Sequence, residues 1–256
     1  VRLAVTTSLW FLAILTKQAP CPPQVPSNRT FFYIPLFLSR VTCYLPGMSE
    51  KKFEILYRET LFQGYFRVDR FHLRQELYAG GWSAPFSREV FHTCKEVVIV
   101  LLFDPHHDKV VMIEQFRAGP MARGDDPFGL EFVAGMVEPG ETPEATIRRE
   151  SIEEAGCTVT DLIKIHSYYP SPGSYAEHAS VYVGRTVAPE DGSICGLASE
   201  GEDIKVVVLD ATQALNKLYM GEIRDAGSLI ALQWFSLNHT DIRSRWLMSE
   251  SSTPII

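Results

Sequence analysis

The 256-residue chain predicts an α/β fold: strands on both sides of one central helix, then a further helix towards the C-terminus. Three observations carry that expectation. Val97–Phe103 (VVIVLLF) is a continuous apolar run of strand length. Thr142-Pro143-Glu144 opens a helix with a hydroxyl N-cap, proline at the first helical position and an early acid, and Gly156 closes it. Ala226–Leu237 reads as a strongly apolar helix.

The elements follow in order. Phe53–Phe62 and Tyr65–Leu77 are rich in β-branched and aromatic residues around Gln63-Gly64, which predicts a hairpin, and a strand around Arg88–Phe91 completes a small antiparallel sheet. After Val97–Phe103, Asp104-Pro105-His106-His107-Asp108 is a turn, and Lys109–Phe116 returns as its partner strand. Leu130–Val133 leads into the central helix. Leu162–Tyr169, Ser180–Gly184 and Ile204–Leu209 read as later strands, and Ala211–Met220 as a helix.

Composition narrows the class. The net charge is −7 and is unevenly placed. Residues 1–47 carry Arg2, Lys17, Arg29 and Arg40 and no acid, so the remainder is strongly acidic. An acidic body argues against nonspecific nucleic-acid binding, which needs a basic surface. The cysteines are Cys21, Cys43, Cys94, Cys157 and Cys195, odd in number and without a C-x-x-C pair, which favours reduced thiols in a cytoplasmic protein. Leu3–Leu15 is too short for a membrane span, which needs about 20 residues, and lacks a clear small-x-small cleavage site. Met48 opens an ordinary charged sequence. We therefore expect Met48 to be the working start and residues 1–47 to be upstream translation or disordered. Asn28-Arg29-Thr30 is a sequon by pattern only.

The segment Gly135–Cys157 (GMVEPGETPEATIRRESIEEAGC) carries the chemistry. At 100° per residue, Ala145 and Ile152 share one helix face, expected to pack on the core. Glu150 and Glu154 fall roughly opposite as i,i+4 neighbours, with Glu153 on the flank. Like charges so placed cost roughly 0.2–0.5 kcal/mol on a bare helix. A divalent cation reverses that sign, and hard carboxylate oxygens suit Mg²⁺ bound to substrate phosphates. An acidic helix face alone is ordinarily just solvated; the glycine-containing loop upstream makes this one different.

The segment resembles the Nudix box, G-x5-E-x7-R-E-U-x-E-E-x-G-U, with U a bulky aliphatic residue. Gly135, Glu141, Arg149, Glu150, Glu153, Glu154 and Gly156 match, whereas Ser151 and Cys157 stand where bulky residues are usual, which bears on packing rather than on metal. The resemblance implies an α/β/α sandwich with a mixed sheet, plus the small N-terminal antiparallel sheet used in dimerisation. The expected division is 48–94 for that sheet and 95–256 for the hydrolase domain.

Within the family, the chain is similar to bacterial ADP-ribose pyrophosphatases from about Phe53 onward. The similarity includes Pro172 fifteen residues past the box, RETL-x-x-G (Arg58–Gly64), FDP (Phe103–Pro105), IEQ-x-R (Ile113–Arg117) and SLIALQWF (Ser228–Phe235). It implies two or three Mg²⁺ (or Mn²⁺) held by Glu150, Glu154, the Ala134 carbonyl and Glu202, with Glu200 as the base that activates water. It implies substrate contacts from Tyr65, Phe66, Arg88, Glu89, Arg117, Met136, Ser171, Pro172, Gly173 and Glu177. Glu141, Arg149 and Glu153 support the box. The implied reaction splits ADP-ribose into AMP and ribose 5-phosphate in a homodimer with swapped N-terminal sheets, with no nucleic-acid or membrane partner. Hydrolysis of another nucleoside diphosphate sugar such as GDP-mannose is the alternative, and a non-catalytic ADP-ribose sensor a remoter one. The seven histidines form no nucleophile or metal constellation.

Overall fold

The computed structural model describes residues 51–93 and 95–251. The readings of residues 1–47, Met48, the Asn28 sequon, Cys21, Cys43 and Cys94 lie outside them. Described residues up to 93, with Ser171–Ala176, form one compact unit, and Lys95–Pro170 with the described residues from Glu177 onward form another.

The smaller unit is a three-stranded antiparallel sheet, β1 (Phe53–Gln63), β2 (Arg67–Gln75) and β3 (Phe86–His92), in that spatial order. The Gly64 N–H donates to Phe66 O at 2.9 Å in the expected hairpin turn. Asp69 of β2 is fully buried, with two arginines, a threonine hydroxyl and a histidine around it. Arg67 Nε donates to it at 3.0 Å and Thr60 Oγ1 at 2.8 Å, Arg58 lies beside it, and His92 Nε2 stands 3.1 Å away. Burial works against its charge, but these partners win and hold the carboxyl below its usual range. The Ser171–Ala176 segment joins this unit through Phe91 N–H to Ser174 O (2.8 Å) and Ala176 N–H to Phe91 O (2.9 Å).

The larger unit runs β4 (Val97–Asp104), β5 (Lys109–Phe116), α1 (Ala118–Arg123), β6 (Phe128–Glu131), β7 (Val133–Met136), α2 (Pro143–Ala155), β8 (Leu162–Tyr168), β9 (Ala179–Arg185), β10 (Ile194–Cys195), a 3₁₀ turn (Ala198–Glu200), β11 (Ile204–Asp210), α3 (Ala211–Tyr219) and α4 (Ala226–Ser251). Its sheet has the order β10-β11-β5-β4-β9-β8, with β6 on β5 and β7 on β4; β4 and β9 are parallel and the other pairs antiparallel. It is therefore mixed, as expected.

The apolar run of β4 is explained by burial on both faces. Ile99, Leu101 and Phe103 point to one core with Leu232, Phe235, Ile242 and Trp246 of α4, while Val98, Val100 and Leu102 point to another with Ile147 and Ala155 of α2. The result is a helix–sheet–helix sandwich. α4 continues fourteen residues past the expected Leu237. Its apolar stripe, Leu232, Phe235, Ile242 and Trp246, simply becomes sparse, with His239 filling the gap against the Phe103 and Phe235 rings. The short elements α1, β10 and the 3₁₀ turn carry too little periodicity to be seen in sequence.

The central helix obeys its local signals. Thr142 Oγ1 accepts from Ala145 N–H at 3.2 Å, Pro143 takes the first position, and Gly156 ends the helix at φ 64°. The expected inward face is wrong. Ala145 and Ile152 are exposed, whereas Thr146, Ile147, Ser151, Glu154 and Ala155 are buried. The side bearing Glu154 faces the sheet, because Ile147, Ser151 and Ala155 provide the small, close-packing surface there. Ser151 and Cys157, the two departures from the box pattern, are both sealed inside at 0% and 1% exposure, and Ser151 Oγ finds no hydrogen-bond partner among the described residues.

Candidate functional site

The box acids converge where α2 packs on β7. Glu154 is buried, and its Oε2 accepts from the Ala134 N–H at 3.1 Å. Glu150 lies against Gly135, where a Cβ would overlap its Cγ, Cδ and Oε1. Gly135 is therefore needed for space rather than for turn geometry. Burial pushes the Glu150 carboxyl up to about 7 and that of Glu154 to about 8, and the negative charge of Glu202 adds to both shifts.

Arg149 organises the rest. Its Nε and Nη2 donate to the two oxygens of Glu141 at 3.1 and 3.2 Å, while Nη1 lies 2.9 Å from both Glu150 Oε1 and Glu153 Oε2. Glu141 also accepts from Thr146 Oγ1 at 2.8 Å and from the Glu138 N–H at 3.3 Å. The Arg149 fork first, and these donors with it, hold the Glu141 carboxyl down at about 2. Glu141 thereby ties the loop to the helix.

The acidic loop Gly196–Asp203 (GLASEGED), which carries Glu200 and Glu202, is anchored to the same helix. Gly196 N–H donates to Glu153 O at 2.9 Å, and Glu202 Oε2 accepts from Leu197 N–H at 3.0 Å. Gly196 sits at φ 99°, and a Cβ there would crowd the Glu202 Cβ. Glu200 ends the 3₁₀ turn, its N–H donating to Leu197 O at 2.9 Å and its exposed side chain without a hydrogen-bond or ion-pair partner among the described residues.

These residues fit a divalent cation. A buried and a half-buried carboxylate that repel each other, with a third bearing on both, are costly to keep charged, and a cation removes that cost. Among the described residues no three His, Cys, Asp or Glu side chains are gathered into a closed cage. Their oxygens are instead turned to Arg149, Ala134 N–H and Leu197 N–H. Mg²⁺ needs no such cage, since it uses one or two carboxylates and keeps several waters.

Arg117 follows β5, and its Nε donates to Glu131 Oε1 at 2.8 Å. Burial opposes its charge, yet Glu131, Glu154 and Asp225 together hold its pKa above the usual arginine range. Met136 ends β7 opposite Val97, and Glu177 is half-buried, its charge reaching Tyr168.

The remaining expected contacts lie in the smaller unit. The Tyr65 and Phe66 rings meet edge-on at 4.7 Å, and Phe66 packs on Phe91 at 4.6 Å. Arg88 and Glu89 are adjacent on β3 and so point to opposite faces. Arg88 lies over Phe86, and Glu89 is paired with Arg70 at 2.7 Å. Ser171, Pro172 and Gly173 form an exposed turn in which Ser171 O accepts from Tyr175 N–H at 2.9 Å. Sequence reasoning missed Glu131, Asp225 and Gly196. A lone carboxylate inside the apolar FGLEFVAG run, and an Asp three residues before Ser228 at a helix start, were the available signals.

The sandwich, the box helix and its acids define the class. The NUDIX domain family matches residues 94–240, and the chain belongs to it. It is 42% identical over 193 residues to the ADP-ribose pyrophosphatase of Escherichia coli (strain K12), covering 75% of this chain and 92% of that one. The ADP-ribose pyrophosphatase of Haemophilus influenzae matches at 37% over 204 residues (78% and 94%). The GDP-mannose pyrophosphatase of Shigella flexneri serotype 5b is less similar, at 33% over 141 residues (55% and 73%). A solved structure, the crystal structure of an ADP compounds hydrolase, shares the fold at TM-score 0.53 and 20% identity, over 71% of this chain and 93% of that one.

Proposed function

We propose that this enzyme hydrolyses the diphosphate of ADP-ribose to AMP and ribose 5-phosphate. The observation that carries the reading is the pairing on α2 of buried Glu154 with half-buried Glu150, the Glu202 charge bearing on both. The likeness to ADP-ribose pyrophosphatases over nearly their whole length supports the substrate.

Glu150, Glu154, Glu202 and the Ala134 carbonyl would hold two or three Mg²⁺, with Mn²⁺ as a substitute. When bound, the ions neutralise charge on the diphosphate and acidify water. Glu200, exposed and unpaired on its turn, takes the proton of the attacking water. Arg117 clamps the diphosphate with its planar fork. Arg149 acts through the acids it holds, and Glu141 and Glu153 keep it in place. Met136 and Glu177 contact substrate from the larger unit. Tyr65, Phe66, Arg88, Glu89 and the Ser171-Pro172-Gly173 turn take the adenosine side.

Of these, Tyr65, Phe66, Arg88 and Glu89 belong to a dimerisation sheet (48–94), and the hydrolase domain is 95–256. An exposed edge supports a second copy: β1 leaves Phe53, Ile55, Tyr57, Leu61 and Phe62 at 37–57% exposure, a patch that water-facing strands rarely keep. Among the described residues no helix is long and apolar enough to cross a membrane. The free thiols of Cys157 and Cys195 support a cytoplasmic enzyme.

The test is a panel of ADP-ribose, GDP-mannose, NADH and flavin adenine dinucleotide with Mg²⁺, with products identified by mass. ADP-ribose should lead in kcat/KM and yield AMP. Preference for GDP-mannose would replace the substrate reading, and substrate binding without turnover would make the protein a sensor.

A further inference from the structure

β6 is held at both ends by the residues that begin α4. Arg224 Nη2 donates to Phe128 O at 2.6 Å, at the first residue of β6. Ser228 Oγ accepts from Phe132 N–H at 2.9 Å, directly after its last residue, Glu131. Ser228 is itself fixed: its N–H donates to Asp225 Oδ1 at 2.8 Å, and Leu229 N–H donates to Asp225 O at 3.1 Å. Gly227 lets this turn lie against β4, since a Cβ there would press on Ile99 Cγ1 at 3.0 Å.

What the clamp presents is Glu131. Its side chain is only 12% exposed, and its ion-pair partner is Arg117. A carboxylate this buried is costly unless its partner is held in good geometry. The bond uses Arg117 Nε alone; among the described residues nothing is hydrogen-bonded to the two terminal nitrogens. Asp225 Oδ2, also buried, meets no donor among the described residues, so its charge is left to act on Arg117. The guanidinium is thus gripped by one edge and drawn towards the α4 start.

We propose that Glu131 is a positioning residue for hydrolysis: it holds Arg117 by Nε, and the Arg224–Ser228 turn of α4 fixes Glu131 in turn, so that the terminal nitrogens stay free for the diphosphate. This rests on the reading of Arg117 as the diphosphate clamp. It also gives a role to Ser228, the first residue of the SLIALQWF run that otherwise looks like plain core.

The experiment is a double-mutant cycle on kcat/KM for ADP-ribose, with unfolding midpoints measured in parallel. Glu131→Ala should lower kcat/KM by roughly 10- to 100-fold, the range of coupling between contacting charged groups. Glu131→Gln, which keeps an acceptor oxygen for Nε, should recover most of that loss. In an Arg117→Lys background, which keeps a cation but not the fork, Glu131→Ala should have less than about a twofold further effect. Ser228→Ala should cost less than Glu131→Ala and should likewise lose its effect in that background. An equal loss from Glu131→Ala in both backgrounds overturns the positioning role while leaving Arg117 as the clamp. Wild-type turnover by Arg117→Lys and Arg117→Ala removes the clamp itself, and the proposal with it.

Discussion

Replacing Gly135 by alanine should damage both stability and turnover, although it adds a single methyl group. The new Cβ would occupy the space of the Glu150 side chain from Cγ to Oε1. Glu150 cannot swing aside freely, because its Oε1 is held 2.9 Å from Arg149 Nη1, and Arg149 is bound on its other edge to Glu141. Either the carboxylate leaves Arg149 or β7 backs away from α2. Overpacking of this kind costs roughly 1–3 kcal/mol. The contrast is Gly119 in α1, where nothing lies within 4 Å of a built Cβ. There, alanine should be neutral or stabilise by up to about 1 kcal/mol through the unfolded chain. Urea unfolding of the metal-free proteins gives both stabilities, and titration with Mn²⁺ shows whether Glu150 has moved. The expected order is Gly119→Ala at or above wild type, with Gly135→Ala well below and weak in Mn²⁺ affinity. Wild-type stability and Mn²⁺ affinity for Gly135→Ala would refute the close approach of Glu150 to the loop.

Two further predictions concern the loop and the base. The Glu141 carboxyl, held at about 2 against an ordinary 4.5, should stabilise the protein above pH 4.5 and lose that contribution as pH falls towards 2. The stability gap between wild type and Glu141→Gln, followed by urea unfolding from pH 6 to pH 3, should therefore shrink on the acid side; a gap that is constant or widens there contradicts the Arg149 fork. Glu200→Gln should lower kcat by roughly two to four orders of magnitude, the usual worth of a general base. Mn²⁺ affinity should change little, and unaltered turnover would remove Glu200 from the mechanism.

The box helix was legible almost to the residue, because its cap, its opening proline and its closing glycine act within a turn of the positions they govern. The face it buries was not. A choice between Ala145/Ile152 and Ile147/Ser151/Ala155 depends on what packs above the sheet, and the small Ser151 and Cys157 hid the inner side from a reading based on bulk. The end of α4 was obscured for a related reason. From Asn238 on, its stripe rests on Ile242 and Trp246, with His239 bridging back to Phe235.

The sequence alone determined the α/β order of elements, the metal-suited acids Glu150 and Glu154 one turn apart, and the family they mark. These are statements about spacing along one chain. Tertiary structure decided that Glu154 is buried, that Glu150 fills the space a side chain at Gly135 would take, and that Glu202 bears on both from a loop some fifty residues away in sequence. It also decided that Glu131, unremarkable in the chain, grips Arg117 under a clamp made by α4. Burial and charge coupling depend on distance through space, and local pattern cannot encode which distant groups will share a dry site.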